Sequence, residues 1–175
     1  MKRILFLLLF AIPFKIQAQG LKKTLLPIDS ATNQIAYRIV ESTPNLTKTM
    51  LYSNAKTWVA KQFNSPNRVV QMDDPESGKL IVKAFTPYYS YIKNERVNYK
   101  LWFTVSISVK SEKYKAELTD FTSQQEGQSD RNPAEMLVKP SLKELGWLDI
   151  TVAIEDLSKI FLQSIPEAMR VKDDF

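Results

Sequence analysis

The 175-residue chain contains no histidine and no cysteine. Those two absences remove most of enzyme chemistry. Ser-His-Asp and Cys-His catalysis need an imidazole to accept the nucleophile's proton, so neither can be built. The usual zinc, haem and iron–sulfur sites go with them, because their ligands are imidazole and thiolate. What remains is a carboxylate pair, a Ser-Lys dyad, a Tyr or Lys acid/base, or an oxygen-lined cation site. No cofactor is expected. Without cysteine there are also no disulfides and no cysteine-borne lipid anchor.

Long apolar runs are scarce too. Residues 4–14 form the one clear example, preceded by Lys2 and Arg3 and followed by the small residue Ala18. Eleven residues fall short of the ~20 that a spanning helix needs. A basic start, a short apolar run and a small residue at the cut are the order of a secretory signal peptide. Residues 1–18 are therefore expected to be removed, leaving a protein that is periplasmic or secreted, with no transmembrane span and not a lipoprotein.

Excess charge largely disappears with that segment. The chain has 24 Lys+Arg and 19 Asp+Glu, and Lys2, Arg3 and Lys15 lie in the first 18 residues. The remaining 157 residues carry 21 basic and 19 acidic side chains, a net charge of +2. So small an excess gives little pull toward polyanions, and no nucleic-acid partner is expected. A chain of this length suits one domain, residues 19–175, that buries about two-thirds of its unfolded surface.

The strongest pattern in the chain lies at its centre. Tyr99, Leu101, Phe103, Val105, Ile107 and Val109 fall on alternate residues, with Asn98, Lys100, Trp102, Thr104, Ser106 and Ser108 between them. Side chains of a strand alternate between its faces, so this is a strand with one apolar face. After Ser111 and Glu112 the pattern resumes in Tyr114, Ala116 and Leu118, which predicts a hairpin over residues 97–121.

Around it the sequence predicts a strand over 33–41 and a helix over 48–63 capped by Thr47. The helix has an apolar stripe of Leu51, Ala55, Trp58 and Val59. Short strands follow over 68–72 and 79–85, joined by a turn, and then a longer connection over 86–96. Residues 123–148 read as an irregular insertion. Within it, Asn132-Pro133-Ala134-Glu135 has the signature of a short helix start, interrupted at Lys139-Pro140, and Leu142, Leu145, Trp147 and Leu148 are candidate anchors to the core. A final helix over 150–165 carries Ile150, Ile154, Leu157, Phe161 and Ile165, and Pro166 is expected to stop or kink it. The result is an α+β two-layer sandwich, an antiparallel sheet with helices on one face, in β-α-β4-α order.

Three stretches also carry a family resemblance. They are Leu26-Pro27-Ile28-Asp29 with Ile35, Tyr37 and Val40; Tyr52, Ala55, Lys56, Trp58 and Phe63 with Gln71-Met72-Asp73-Asp74 and Gly78-Lys79-Leu80; and Tyr99, Leu101, Ile107, Val109-Lys110, Lys113-Tyr114 and Thr119-Asp120-Phe121. Together they resemble a family of exported bacterial proteins, found mainly in the Bacteroidetes group, with a TBP-like fold and no assigned function. The resemblance implies that fold and export, and it supplies no catalytic residues. Asn33 stands where the family often has a turn glycine, a position that asparagine tolerates.

Two constellations remain as candidate sites. Asp73, Asp74 and Glu76 could hold a hard cation or supply an acid/base pair for a hydrolase, though Asp and Pro are also what a turn selects. The stretch Tyr88, Tyr89, Tyr91, Lys93, Arg96, Lys100 and Trp102 combines rings with cations. Trp102 interrupts the polar face of the strand, where an indole is either covered by another element or offered to a partner. The expected binding residues are thus Trp102, Tyr88, Tyr91 and Lys100, in a non-enzymatic module whose partner is another envelope protein or a glycan. A small-ligand pocket between sheet and helices is a third reading. Export itself is checked by the intact mass of the protein recovered from its native cells. The mature chain should begin at Gln19, and a mass that retains residues 1–18 contradicts the signal-peptide reading.

Overall fold

The computed structural model describes residues 26–137 and 146–172. The expected signal segment, the lead-in before Leu26, the Lys139-Pro140 break and the anchors Leu142 and Leu145 lie outside the described residues, as do the side chains of Trp147 and Leu148. The chain opens with a small ribbon of β1 (Ile28–Asp29) and β2 (Gln34–Ile35). Its turn is closed by Asp29, whose Oδ1 accepts from the Ala31 and Thr32 amides, and Asn33 takes the left-handed position at φ 57°. Next come β3 (Tyr37–Ser42), α1 (Lys48–Gln62), α2 (Pro66–Val69) and β4 (Val70–Asp74). Three long strands follow: β5 (Lys79–Ile92), β6 (Glu95–Lys110) and β7 (Lys113–Gln125). The chain ends with β8 (Asn132–Pro133), α3 (Ala134–Leu137) and α4 (Gly146–Met169).

The main sheet is antiparallel, in the order β3-β7-β6-β5-β4, with β8 added beside β7. From Leu101 to Val109 every odd residue of β6 is buried and every even one is half-buried. The buried set meets Leu80, Val82 and Ala84 of β5 and Tyr114, Ala116 and Leu118 of β7. Both long helices lie over that face. Leu51, Ala55, Trp58 and Val59 come from α1, and Ile150, Ile154, Phe161, Ile165 and Met169 from α4. Thr47 caps α1 as expected, its hydroxyl accepting from the Met50 amide at 3.2 Å.

The structure corrects the expected elements in five places. The long connection over 86–96 does not exist. Instead β5 runs on to Ile92, and Lys93 and Asn94 alone turn the chain at φ 51° and 68°. Two successive left-handed residues are what a tight hairpin requires, and Asn-Gly would have announced it where Lys-Asn does not. The second half of the expected hairpin does not alternate evenly, because a bulge follows Leu118. Trp102 faces Thr122 and Thr104 faces Thr119, with Asp120 at φ 55° as the extra residue. One inserted residue reverses the alternation, so the buried set changes from Tyr114, Ala116 and Leu118 to Phe121 and Ser123.

The third correction concerns residues 123–148, which are not wholly irregular. Gln124 and Gln125 extend β7, β8 pairs with it, and α3 buries Ala134. The Asn132-Pro133 pair lies in β8 rather than capping a helix. Glu135 accepts from the Ile35 amide at 2.8 Å and ties α3 to the first ribbon. Lastly, α2 occupies the start of the expected 68–72 strand, and α4 continues through Pro166. One missing N–H costs a single helical bond, while the helix beyond it buries Met169 completely.

Gly78 locks the β4–β5 turn against the rest of the sheet. It sits at φ +72°, and an added Cβ would lie 2.6 Å from the Val109 carbonyl oxygen. Its own carbonyl accepts from the Val109 amide at 2.8 Å, so the strands cannot move apart freely. Gly78→Ala should destabilise the domain by about 1–3 kcal/mol or more, read by chemical denaturation, because strain and a backbone clash add.

Candidate functional site

The face of the sheet turned away from the helices carries the aromatic and basic side chains. Alternation places Lys83, Phe85, Pro87, Tyr89 and Tyr91 of β5 on it, beside Arg96, Asn98, Lys100 and Trp102 of β6. The register sets Phe85 opposite Trp102, Pro87 opposite Lys100, Tyr89 opposite Asn98 and Tyr91 opposite Arg96. Cross-strand neighbours on one face stand within side-chain reach. The Phe85 and Trp102 ring centroids are 4.9 Å apart, and Tyr89 and Tyr91 meet edge-to-face at 5.8 Å.

Each of three rings carries a cation. Arg96 lies 4.4 Å from the Tyr89 centroid, Lys100 5.0 Å from that of Phe85, and Arg131 3.7 Å from that of Trp102. A cation over an aromatic face is attracted by the ring quadrupole, by about 0.5–1 kcal/mol at exposed sites. None of the ion pairs among the described residues includes Lys83, Arg96, Lys100 or Arg131. The pairs lie elsewhere: Arg38 reaches Asp29 and Glu117, Lys115 reaches Glu117, and Arg170 reaches Glu41. A hollow of about 490 Å³ opens among Phe85, Pro87, Tyr89, Arg96, Lys100 and Glu126. The nearby carboxylates are Glu126, which accepts from Asn98 at 3.2 Å, and Asp130, which accepts from Ser129.

Trp102 proves to be covered on one side by the chain itself. Its indole N–H donates to Gln124 Oε1 at 2.8 Å, and Gln124 Nε2 donates to the Gln128 carbonyl at 2.8 Å. Those bonds hold the loop after β7 over the sheet and bring Arg131 onto the ring. Trp102 is the half-buried base of the patch, and Phe85, Tyr89 and Tyr91 are its open part, each about half exposed.

Three of the four residues expected to bind therefore share this face: Trp102, Tyr91 and Lys100. Tyr88 does not. Its ring stacks on Tyr99 at 5.2 Å, packs against the core and bonds Ser123 through its hydroxyl at 2.5 Å. Burial pushes its pKa up to about 12. Phe85 and Arg131 were missed. Phe85 shares its parity with Tyr89 and Tyr91, a signal readable only once β5 is known to continue past residue 85. Nothing in the sequence marks Arg131.

The acidic cluster is tied into the fold. Asp73 accepts from the Tyr52 hydroxyl at 2.6 Å and pairs with Lys56 at 2.8 Å. Asp74 accepts from the Ser77 amide at 3.0 Å, and Lys48 donates to the Glu76 carbonyl. No group of three or more acidic side chains among the described residues is arranged to hold a metal ion. The Lys56 ammonium, then the Tyr52 hydroxyl, hold the Asp73 carboxyl below its ordinary 3.8, while burial and Asp73 push Tyr52 above the usual phenol range.

A depressed carboxylate stabilises the fold above its unfolded pKa and loses that effect as pH falls through the folded value. Stability should therefore decline below about pH 4. Asp73→Asn should flatten this acid limb and leave the neutral-pH profile level, as measured by thermal melts across pH. An unchanged acid limb would remove Asp73 from the account.

With that geometry in hand, comparison with known proteins places the chain. A family model described as a domain of unknown function (DUF4468) with TBP-like fold matches residues 31–124, more than half of the sequence. A crystal structure of a DUF4468 family protein from Bacteroides ovatus ATCC 8483 is similar at TM-score 0.66 and 10% identity, over 86% of this chain and 93% of that one. Another, of a TBP-like protein from Parabacteroides distasonis ATCC 8503, is similar at TM-score 0.57 and 13% identity, over 81% and 97%. At such identities the likeness concerns the fold alone. No curated protein matches. The family match, covering β3 through most of β7 and supported by two solved relatives of the same architecture, makes this chain a member of the DUF4468 family of TBP-like domains of unknown function.

Proposed function

We propose that this domain is a non-enzymatic binding module, exported to the cell envelope, that holds an acidic macromolecular partner on the outer face of its long hairpin. The observation that carries this reading is the set of cations seated on aromatic rings, none of them in an ion pair among the described residues. Charges left unpaired on one face, while others in the same fold are paired, favour a partner of opposite sign. Rings beside them supply apolar contact at low entropic cost. Export is supported by the basic start and short apolar run of residues 2–14. The small net charge of the remaining chain and its export both argue for an envelope protein or glycan rather than nucleic acid.

The test is the double charge reversal Arg96→Glu/Lys100→Glu, with Lys110→Glu/Lys113→Glu at the other end of the sheet as control. Retention of envelope material on immobilised protein should fall about tenfold for the first pair only, and wild-type retention should weaken as salt rises. Equal retention by both double variants sinks the proposal.

A further inference from the structure

Strand β5 has a free edge directly beside this patch. Strand β4 pairs with β5 only as far as Val82, and, among the described residues, positions 83–92 of β5 have ladder partners in β6 alone. The ladder fixes which backbone groups are free. Asn98 accepts from Glu126 on the β7 side, so even residues of β6 in this part of the sheet bond toward β7 and odd ones toward β5. Tyr99 faces Tyr88, so even residues of β5 bond inward and odd ones point outward. Pro87 falls in the outward set, where a missing N–H breaks no ladder bond. Phe85, Tyr89 and Tyr91, beyond the last β4 pairing, then point their N–H groups out along the edge.

A cavity lies on the other side of the same edge. It measures about 210 Å³ and is lined by Trp58, Phe63, Phe103, Leu157 and Phe161 among others. Gln62, Phe85 and Ile160 also line it and are exposed, which marks its mouth. An apolar cavity of about 150 Å³ admits benzene, so this one has room for one leucine or phenylalanine side chain.

A strand laid along an edge sends alternate side chains to the two faces of the sheet. On one face they would meet Lys83, Arg96 and Lys100; on the other, the apolar mouth. We infer that the β5 edge takes up an extended polypeptide segment in which acidic residues alternate with apolar ones, completing the sheet by one strand. This rests on the outer-face reading above and names the partner as protein rather than glycan. A second copy is a poor occupant, because pairing β5 with β5 would bring two sets of unpaired cations together. Pro87, which withholds one donor, divides the pairing into two short stretches and also blunts the edge against indiscriminate association.

The experiment uses the isotopically labelled protein and a synthetic peptide alternating glutamate and leucine, matched in length to residues 83–92. Binding should slow amide exchange at Phe85, Tyr89 and Tyr91. Methylating alternate backbone nitrogens of the peptide should weaken binding about tenfold or more, since several backbone bonds go at once. Replacing its glutamates by glutamine, or introducing Arg96→Glu/Lys100→Glu, should do the same. A methylated peptide that binds as well as its parent, or protection confined to other residues, overturns the strand-addition inference. If polygalacturonate binds through Arg96 and Lys100 and the peptide does not, the edge inference falls and the outer-face reading stands. If neither probe binds and the charge-reversed protein behaves as wild type on envelope material, both fall.

Discussion

A strand has two faces, and two helices can cover only one of them. Everything in this domain follows from how β5, β6 and β7 divide their side chains between those faces. The odd residues of β6 and their neighbours bury a continuous apolar layer under α1 and α4. The opposite face keeps water, and the side chains there are free to be chosen for something other than packing. At one end that choice is Arg38, Glu117 and Lys115, which neutralise one another. At the other it is rings and unneutralised cations.

Much of the fold was legible because burial imposes a period. The stripe of α1, the Thr47 cap, the alternation of β6 and the stripe of α4 each repeat a simple spacing over many residues. What was illegible depended on single residues. Lys93 and Asn94 turn the chain without a glycine, Asp120 inserts itself into β7, and Pro166 is carried inside a helix by the burial of Met169. In each case tertiary structure overrides a local preference, and nothing in the residue itself announces the outcome.

The candidate site was legible to the same extent. Trp102 stood out because it interrupts a polar alternation, and Lys100 and Tyr91 because they belong to the same aromatic and basic stretch. Tyr88 borders the hollow from the core side of β5, a placement that only the register gives: one residue's difference moves a side chain through the sheet. Arg131 arrives from a loop whose position depends on Gln124, a contact between parts of the chain that sequence spacing cannot relate. The acidic turn went the other way. The carboxylates of Asp73 and Asp74 were candidates for chemistry and are engaged by Tyr52, Lys56 and the Ser77 amide.

The bulge at Asp120 acts as a phase shifter between the two halves of β7. Before it, even-numbered residues face the helices; after it, odd-numbered ones do. Were Asp120 instead paired as an ordinary strand residue, with no bulge, the strand would keep the same length and composition. Phe121 and Ser123 would then turn to solvent, and Gln124 would swing inward, away from Trp102. The loop bearing Arg131 would lose its tether to the indole. The left-handed backbone of Asp120, which lets one residue drop out of the pairing, is thus itself a determinant of the surface, apart from the side chains around it.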